Sequence, residues 1–193
     1  MYNQRKLYKI YEIHEEGRSI ILFKNKFEIF FEKLTIPIII AISGAFLINR
    51  YIIFKIEIPS ESMAPTLNIG DKLFANRVYN SKSLKRGELL VFYFKPEEKL
   101  YVKRLIGLPN DDIVINNGIV SVNGERLVEN YVENQKEFNG VYKVPEGKYF
   151  FLGDNRGNSN DSRYWDNPYI DSNYIIGKAV IKVYPFNQMG FVD

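Results

Sequence analysis

The chain has 193 residues, of which 46% are hydrophobic and 25% are charged, as in an ordinary folded protein. Its net charge of +3 is too mild and too evenly spread to indicate a nucleic-acid partner. Without cysteine, disulfides, a cysteine nucleophile and thiolate metal sites are excluded. His14 is the single histidine, which excludes a histidine-rich zinc site and, if His14 lies apart from the folded domain, a Ser-His-Asp triad. A hydrolase built from this chain therefore needs another base.

Residues 1–33 are predicted to form a cytoplasmic tail that contains an amphipathic helix. Its apolar residues recur at helical spacing, with charged residues between them. They are Ile20, Phe23, Phe27, Phe30, Phe31 and Leu34. Such a helix would lie on the inner membrane surface, and the alternative is a helix that packs on a partner.

Residues 34–54 are predicted to form a transmembrane anchor. The first fifteen carry no charge, and the whole stretch would extend about 30 Å as a helix, enough to cross the hydrocarbon core. Arg50 lies near the far end, where its side chain could reach the interface. The alternative is a buried core helix. A cleavable signal peptide is not favoured, because the stretch begins late and no small-x-small pair follows it.

The charges beside this stretch predict its orientation. Lys24, Lys26 and Lys33 precede it closely, while Arg50 and Lys55 overlap or follow its end. The excess of basic residues before the stretch favours a cytoplasmic N-terminus and an extracytoplasmic domain formed by residues 55–193. The expected location is therefore the plasma membrane, crossed once.

Residues 55–193 are predicted to form a mainly β domain, an antiparallel sheet or barrel-like fold. β-branched and aromatic residues recur in short runs that indicate strands. These runs are residues 72–78, 89–94, 100–106, 149–152 and 175–184. Within 112–124, the pairs Asn117-Gly118 and Asn123-Gly124 lie between alternating apolar residues and predict two hairpin turns.

The first polar segment with chemical potential is 58–67, directly after the apolar stretch. Prolines fix the backbone around Ser60 and Ser62, and such rigidity suits a nucleophile that must be presented in one geometry. A plain Pro-Ser turn that connects anchor to domain is the alternative.

Lys103 lies inside the apolar strand run 100–106. Strand alternation puts it on one face with Tyr101 and Leu105, and such a lysine ordinarily faces solvent. The alternative is that Lys103 points into an apolar site, where desolvation would lower its pKa. A neutral amine could then accept the proton of a serine hydroxyl.

Residues 152–166 form the third polar segment, dense in small polar and charged residues. It reads as a solvated loop, as a metal loop with oxygen ligands, or as a hydrogen-bonded scaffold that mixes aspartate and arginine. The spacing does not match an EF-hand and no glutamate closes the loop, so metal binding is not favoured.

These three segments, in this order, resemble the boxes of bacterial type I signal peptidases of the short form. PSESMAPT (59–66) is similar to the nucleophile box, YVKRLIGLPND (101–111) to the lysine box, and GDNRGNSNDSR (153–163) to the late box. The ending IKVYPFNQMG (181–190) and the position of the anchor also match. One box would be weak, whereas three in order are specific.

The resemblance implies a membrane-bound serine endopeptidase that removes signal peptides from exported precursors after Ala-x-Ala-like sites. It implies Ser62 as nucleophile, Lys103 as general base, Ser60 as oxyanion donor and Ser159 as the residue that orients the Lys103 amine. Further implied residues are Arg104, Asp154, Asp161 and Arg163 as supporting ion pairs, and Ile58, Met63, Tyr101 and Val102 as the lining of shallow substrate pockets. No cofactor and no metal are expected, and the oligomeric state stays open.

The sequence departs from the family pattern at two positions. Asn110 replaces the usual glycine of a turn, which asparagine can preserve because it tolerates positive φ. Asp166 replaces a common glycine after Tyr164-Trp165.

Two other functions are possible. A dedicated processing or assembly factor for a pilin-like surface protein is the first, although assembly factors of this kind lack the catalytic pair. A self-cleaving repressor is the second, but such proteins carry a DNA-binding domain rather than a membrane span.

Overall fold

The computed structural model describes residues 8–15 and 18–192. They fall into two compact units, and the division lies between Arg50 and Tyr51. The first unit contains an antiparallel hairpin of β1 (Tyr8–Glu15) and β2 (Arg18–Asn25), followed by α1 (Lys26–Tyr51). The predicted amphipathic helix is therefore wrong for Ile20 and Phe23, which lie in β2. The reason is the preceding strand, which satisfies the β2 backbone by pairing with it and so overrides a helical spacing read from one segment alone.

The last 19 of the 26 residues of α1 form the apolar stretch. Residues Lys33–Tyr51 are long and apolar enough to cross a membrane by length and composition, and this window is not buried in the protein. The helix ends at Tyr51, three residues before the predicted end of the anchor. It ends there because Ile53 and the residues after it pair as a strand instead.

The second unit is built from twelve strands in the part of the chain that the structure describes. In chain order they are β3 (Ile53–Glu57), β4 (Lys72–Arg77), β5 (Leu89–Phe94), β6 (Lys99–Gly107), β7 (Asp112–Asn116), β8 (Ile119–Val122), β9 (Glu125–Arg126), β10 (Gly140–Lys143), β11 (Lys148–Leu152), β12 (Ile170–Asp171), β13 (Ile175–Tyr184) and β14 (Gly190–Phe191). The predicted runs 89–94 and 175–184 coincide with β5 and β13.

The strands form one large and one small antiparallel sheet, which confirms the predicted mainly β class. The large sheet has the order β12-β11-β6-β5-β13-β4-β3, with β14 also paired to β13. Its central strand β5 is almost wholly buried, as its uninterrupted apolar sequence predicts. In this order two strands separate β6, which carries Lys103, from β4, and three strands separate it from the edge strand β3.

The small sheet has the order β10-β7-β8-β9, and its turns confirm the hairpin predictions. Asn117, Gly118, Asn123 and Gly124 all have positive φ, the conformation that a two-residue type I′ turn requires. Asn110 also has a positive φ, of 71°, so asparagine preserves the turn where the family has glycine. The apolar side chains of this sheet pack against β11.

Candidate active site

Ser62 lies in a 3₁₀ turn (Glu61–Met63) that the hydrophobic core holds in place. Met63 and Leu67 are fully buried beside Ile58, and burying each such side chain stabilises the fold by about 1.5–3 kcal/mol. The turn is thus anchored on both sides by buried apolar side chains. The prolines seen in the sequence act together with this burial to fix the backbone of the serine.

The two serines of this turn lie beside each other. Ser60 has an extended backbone, and its Oγ lies 3.3 Å from Oγ of Ser62. On the other side, the Asn155 N–H donates to the Ser62 carbonyl at 3.2 Å, and the Asn155 side chain donates to the Glu61 carbonyl. The late polar segment therefore holds the turn that carries Ser62 through its backbone.

Lys103 lies on β6, opposite Leu90 of β5, and its side chain is 3% exposed. Burial lowers the pKa of Lys103 from 10.5 to about 8, although the nearby Asp161 carboxylate acts in the opposite direction. The Lys103 Nζ lies 5.5 Å from the centroid of the Tyr101 ring. The lysine is thus enclosed by the sheet and an aromatic ring rather than facing solvent.

Ser62 and Lys103 border the same open cleft, of about 820 Å³. One side of the cleft is formed by residues 55–60 and the other by residues 99–103. The four residues expected to line substrate pockets all border it, namely Ile58, Met63, Tyr101 and Val102. Among the residues that the structure describes, no hydrogen bond joins the Lys103 amine to the Ser62 hydroxyl. The two groups share the cleft without a hydrogen bond between them.

Arg104 and Asp154 form a buried ion pair behind the cleft. The Arg104 Nε and Nη2 atoms donate to the two carboxylate oxygens of Asp154 at 2.9 and 2.7 Å, a bidentate geometry. The Thr66 hydroxyl donates to the same carboxylate at 2.6 Å. Because Thr66 follows the Glu61–Met63 turn, this pair is linked to the backbone that carries Ser62.

Asp161 and Arg163 form a second buried pair. Arg163 donates to both carboxylate oxygens at 2.8 Å, and Asp161 also accepts from the Gly153 N–H at 3.0 Å. Both aspartates that could have served a metal are thus engaged by arginines. The segment 152–166 is a hydrogen-bonded scaffold.

Ser159 is buried against Gly153, but the expected hydrogen bond to the Lys103 amine is not formed here. Within the described part of the chain, Oγ of Ser159 has no hydrogen-bond partner. A Cβ on Gly153 would lie 2.2 Å from this Oγ and 2.5 Å from the Ser62 carbonyl oxygen. Only glycine therefore allows the late segment to approach the Ser62 turn so closely.

Two buried pairs near the site were not predicted. The Lys182 amine contacts Asp71 at 2.6 Å and donates to the Thr66 carbonyl, and so ties the end of the segment 58–67 to β13. Arg156 is buried and pairs with Glu129. Neither pair leaves a local signal, because the partners are far apart in sequence.

A buried amine with a lowered pKa and a serine on one cleft are the two groups that a serine hydrolase with a lysine base requires. Residues 31–184 match the model of the family "Signal peptidase, peptidase S26". The chain is 39% identical to Signal peptidase I of Leptolyngbya laminosa over 69% of this chain and 70% of that protein. It is 36% identical to Signal peptidase I T of Bacillus subtilis over 79% of this chain and 84% of that protein.

Probable signal peptidase I-1 of Synechocystis is 35% identical, over 83% of this chain and 86% of its own length. The chain therefore belongs to the signal peptidase family, peptidase S26, and is a serine-type peptidase. The dedicated pilin-like factor is not favoured by these similarities.

Proposed function

We propose that this protein removes signal peptides from exported precursor proteins, with Ser62 as nucleophile and Lys103 as general base. The observation that carries the proposal is the buried Lys103 amine, whose pKa is lowered to about 8, on the same cleft as Ser62. At such a pKa an appreciable fraction of the amine is neutral near physiological pH and can accept a proton. An exposed lysine would remain charged.

The reaction proceeds through an acyl-enzyme. Ser62 Oγ attacks the scissile carbonyl carbon while its proton passes to the Lys103 amine, and a tetrahedral oxyanion forms. The Ser60 hydroxyl, close to Ser62 Oγ, donates to that oxyanion beside the Ser62 N–H. Lys103 then gives its proton to the leaving amine as the C–N bond breaks, and afterwards takes a proton from the water that hydrolyses the ester.

Ser159 supports this step as an orienting donor or acceptor for the amine. Its buried hydroxyl is unpartnered among the described residues, and a buried polar group in that state costs free energy that a hydrogen bond would recover. The two buried ion pairs, Arg104–Asp154 and Asp161–Arg163, keep the backbone of the site in place without touching the substrate.

The substrate enters the cleft as an extended chain. β3 is an edge strand, and β11 pairs with β6 only from Arg104 onwards, so the half of β6 before Lys103 also has a free edge. A peptide between these two edges would hydrogen-bond through its backbone, as in β-strand addition. Ile58, Met63, Tyr101 and Val102 then border its side chains, and shallow apolar walls suit small residues such as alanine.

We also propose that α1 anchors the enzyme in the plasma membrane, with the N-terminus in the cytoplasm and residues 55–193 outside. The apolar window Lys33–Tyr51 and the basic residues before it support this topology. The chain lacks cysteine, so a single Val141→Cys substitution at an exposed position introduces a unique thiol. A membrane-impermeant maleimide should label it in intact cells, and labelling only after lysis would reverse the proposed orientation.

The activity is tested with the purified full-length protein in detergent and a precursor that carries an Ala-x-Ala site. The wild-type protein should release the mature product, whereas Ser62→Ala and Lys103→Ala should leave the precursor intact. Lys148→Ala, on the neighbouring strand β11 and away from the cleft, is the matched control and should cleave normally. Cleavage by Lys103→Ala at the wild-type rate would refute the assignment of the base.

A further inference from the structure

The small sheet sends one segment, residues 127–136, behind the active site, and we call it the rear segment. The Glu133 N–H donates to the Asp154 carbonyl at 3.0 Å, and the Arg156 N–H donates to the Glu133 carbonyl at 3.1 Å. Between these two bonds, the Asn155 N–H points the other way and donates to the Ser62 carbonyl. Residues 154–156 are thus held between the rear segment and the nucleophile turn.

Tyr131 of the rear segment covers the buried ion pair. The Arg104 guanidinium carbon lies 3.8 Å from the centroid of the Tyr131 ring, close enough for stacking. The same guanidinium holds Asp154, and Asp154 accepts the Thr66 hydroxyl. A continuous chain of contacts therefore runs from Tyr131 through Arg104 and Asp154 to the segment that carries Ser62.

Glu129 fixes the orientation of the tyrosine. Its carboxylate accepts from the Tyr131 hydroxyl at 3.1 Å and from the buried Arg156 guanidinium. Burial, assisted by the Glu129 charge, raises the pKa of Tyr131, so the ring stays neutral over the arginine. Arg156 in turn donates to the Gly153 carbonyl at 3.0 Å.

We propose that Tyr131 is a positioning residue: by stacking on Arg104 it holds the Arg104–Asp154–Thr66 chain, and through it the geometry of Ser62. This inference rests on the proposed function, since it assumes that Ser62 is the nucleophile. The small sheet is then the rear wall of the active site. The Tyr131 ring holds this chain of contacts by excluding water from the Arg104–Asp154 ion pair, while the Tyr131 hydroxyl only orients the ring.

The first experiment compares Tyr131→Ala, Tyr131→Leu and Tyr131→Phe in precursor cleavage by the full-length enzyme. We expect kcat to fall about 10- to 100-fold in the first two variants, because small misplacements of a nucleophile are costly, with KM changed by about twofold or less. Tyr131→Phe keeps the ring and should retain most of the wild-type kcat. Tyr142→Ala, which removes a half-buried tyrosine of the same small sheet that packs on Phe150, should leave kcat near wild type.

The second experiment separates positioning from general stability by a double-mutant cycle. If Tyr131 acts through Asp154 on Thr66, then Thr66→Val combined with Tyr131→Leu should lower kcat little further than the more damaging single variant. If the fold-losses in kcat of the two single variants multiply in the double variant, the proposal is overturned. A kcat of Tyr131→Leu equal to wild type, or a loss of kcat in Tyr131→Phe as large as that in Tyr131→Leu, would also overturn it. Failure of the wild-type enzyme to cleave would refute the proposed function instead, so the two failures are distinguishable.

Discussion

Lys103 and Arg104 are neighbours on β6, and both cationic side chains are buried, at 3% and 2% exposure, yet their surroundings differ in kind. Arg104 meets a carboxylate in bidentate geometry and stacks on a tyrosine. Within the described residues, Lys103 makes no ion pair. The carboxylate that most raises the pKa of Lys103, that of Asp161, is already paired with Arg163. The buried charge on one face of the strand has a carboxylate partner, whereas the buried amine on the other face has none among the described residues.

This difference explains how one strand serves two purposes. A buried ion costs several kcal/mol unless a partner of opposite charge compensates it. Arginine cannot lose its proton, so Arg104 needs Asp154, and the pair becomes part of the scaffold. Lysine can lose its proton, which burial makes easier, and the neutral amine that results is a base. The scaffold and the base are thus opposite outcomes of the same desolvation.

The largest expected effect comes from exchanging the lysine for an arginine. Lys103→Arg keeps a cation at the site but cannot release its proton near neutral pH, so the general base is lost. We expect precursor cleavage to fall by about 10³-fold or more, while the fluorescence of Trp165 shows a folded protein. A Lys103→Arg enzyme with more than about a tenth of wild-type activity would contradict the contrast between the two residues.

The next-largest effect is on stability, and it comes from removing the carboxylate that compensates Arg104. Asp154→Ala leaves Arg104 buried without its carboxylate, and we expect the free energy of unfolding to fall by about 3–5 kcal/mol. Urea unfolding of the full-length protein in detergent, followed by fluorescence of Trp165, the single tryptophan, measures this change. Glu57→Ala is the control, because Glu57 forms only an exposed ion pair with Lys72 at 4.0 Å, and should cost about 1 kcal/mol or less.

Removal of the uncompensated Lys103 charge is expected to have a smaller effect of opposite sign, an increase in the free energy of unfolding. Below pH 8 both the folded and the unfolded states hold the Lys103 proton, and the folded state bears the full cost of the buried charge. Between pH 8 and 10.5 the unfolded state binds more protons, so wild-type stability rises with pH. Lys103→Met should therefore be more stable than wild type at pH 7, by on the order of 3 kcal/mol.

The gain from Lys103→Met should shrink across that pH range and vanish above it. The same urea unfolding, repeated from pH 7 to pH 10.5, measures the difference between the two proteins. A methionine variant that is less stable than wild type at pH 7 would show that the amine is held by favourable contacts.

The sequence predicted the parts of the molecule whose causes are local. Positive φ at Asn117, Asn123 and Asn110 follows from the residues themselves, and β5 follows from its uninterrupted apolar run. The sequence also named Lys103 as a candidate, but strand alternation alone favoured a solvent-facing position for it. The burial of Lys103 is decided by the other segments that pack around β6.

The parts that the sequence could not predict depend on distant partners. The pairs Arg156–Glu129 and Lys182–Asp71 join segments that are 27 and 111 residues apart, and each charge alone looks like an ordinary surface residue. The helical spacing of Ile20 and Phe23 misled for the same reason, because a strand partner outside the window decides their conformation. Tyr131 gave no signal either, since its role depends on Arg104.

The pH dependence of kcat/KM for the wild-type enzyme tests the state of the Lys103 amine most directly. If a desolvated amine is the base, kcat/KM should rise about tenfold per pH unit below pH 8 and level off above it, because the free enzyme loses one proton with a pKa of about 8. A rise that continues to pH 10, at the ordinary pKa of lysine, would mean that the amine is exposed to water. A profile that is flat from pH 6 to 9 would mean that it is not the base.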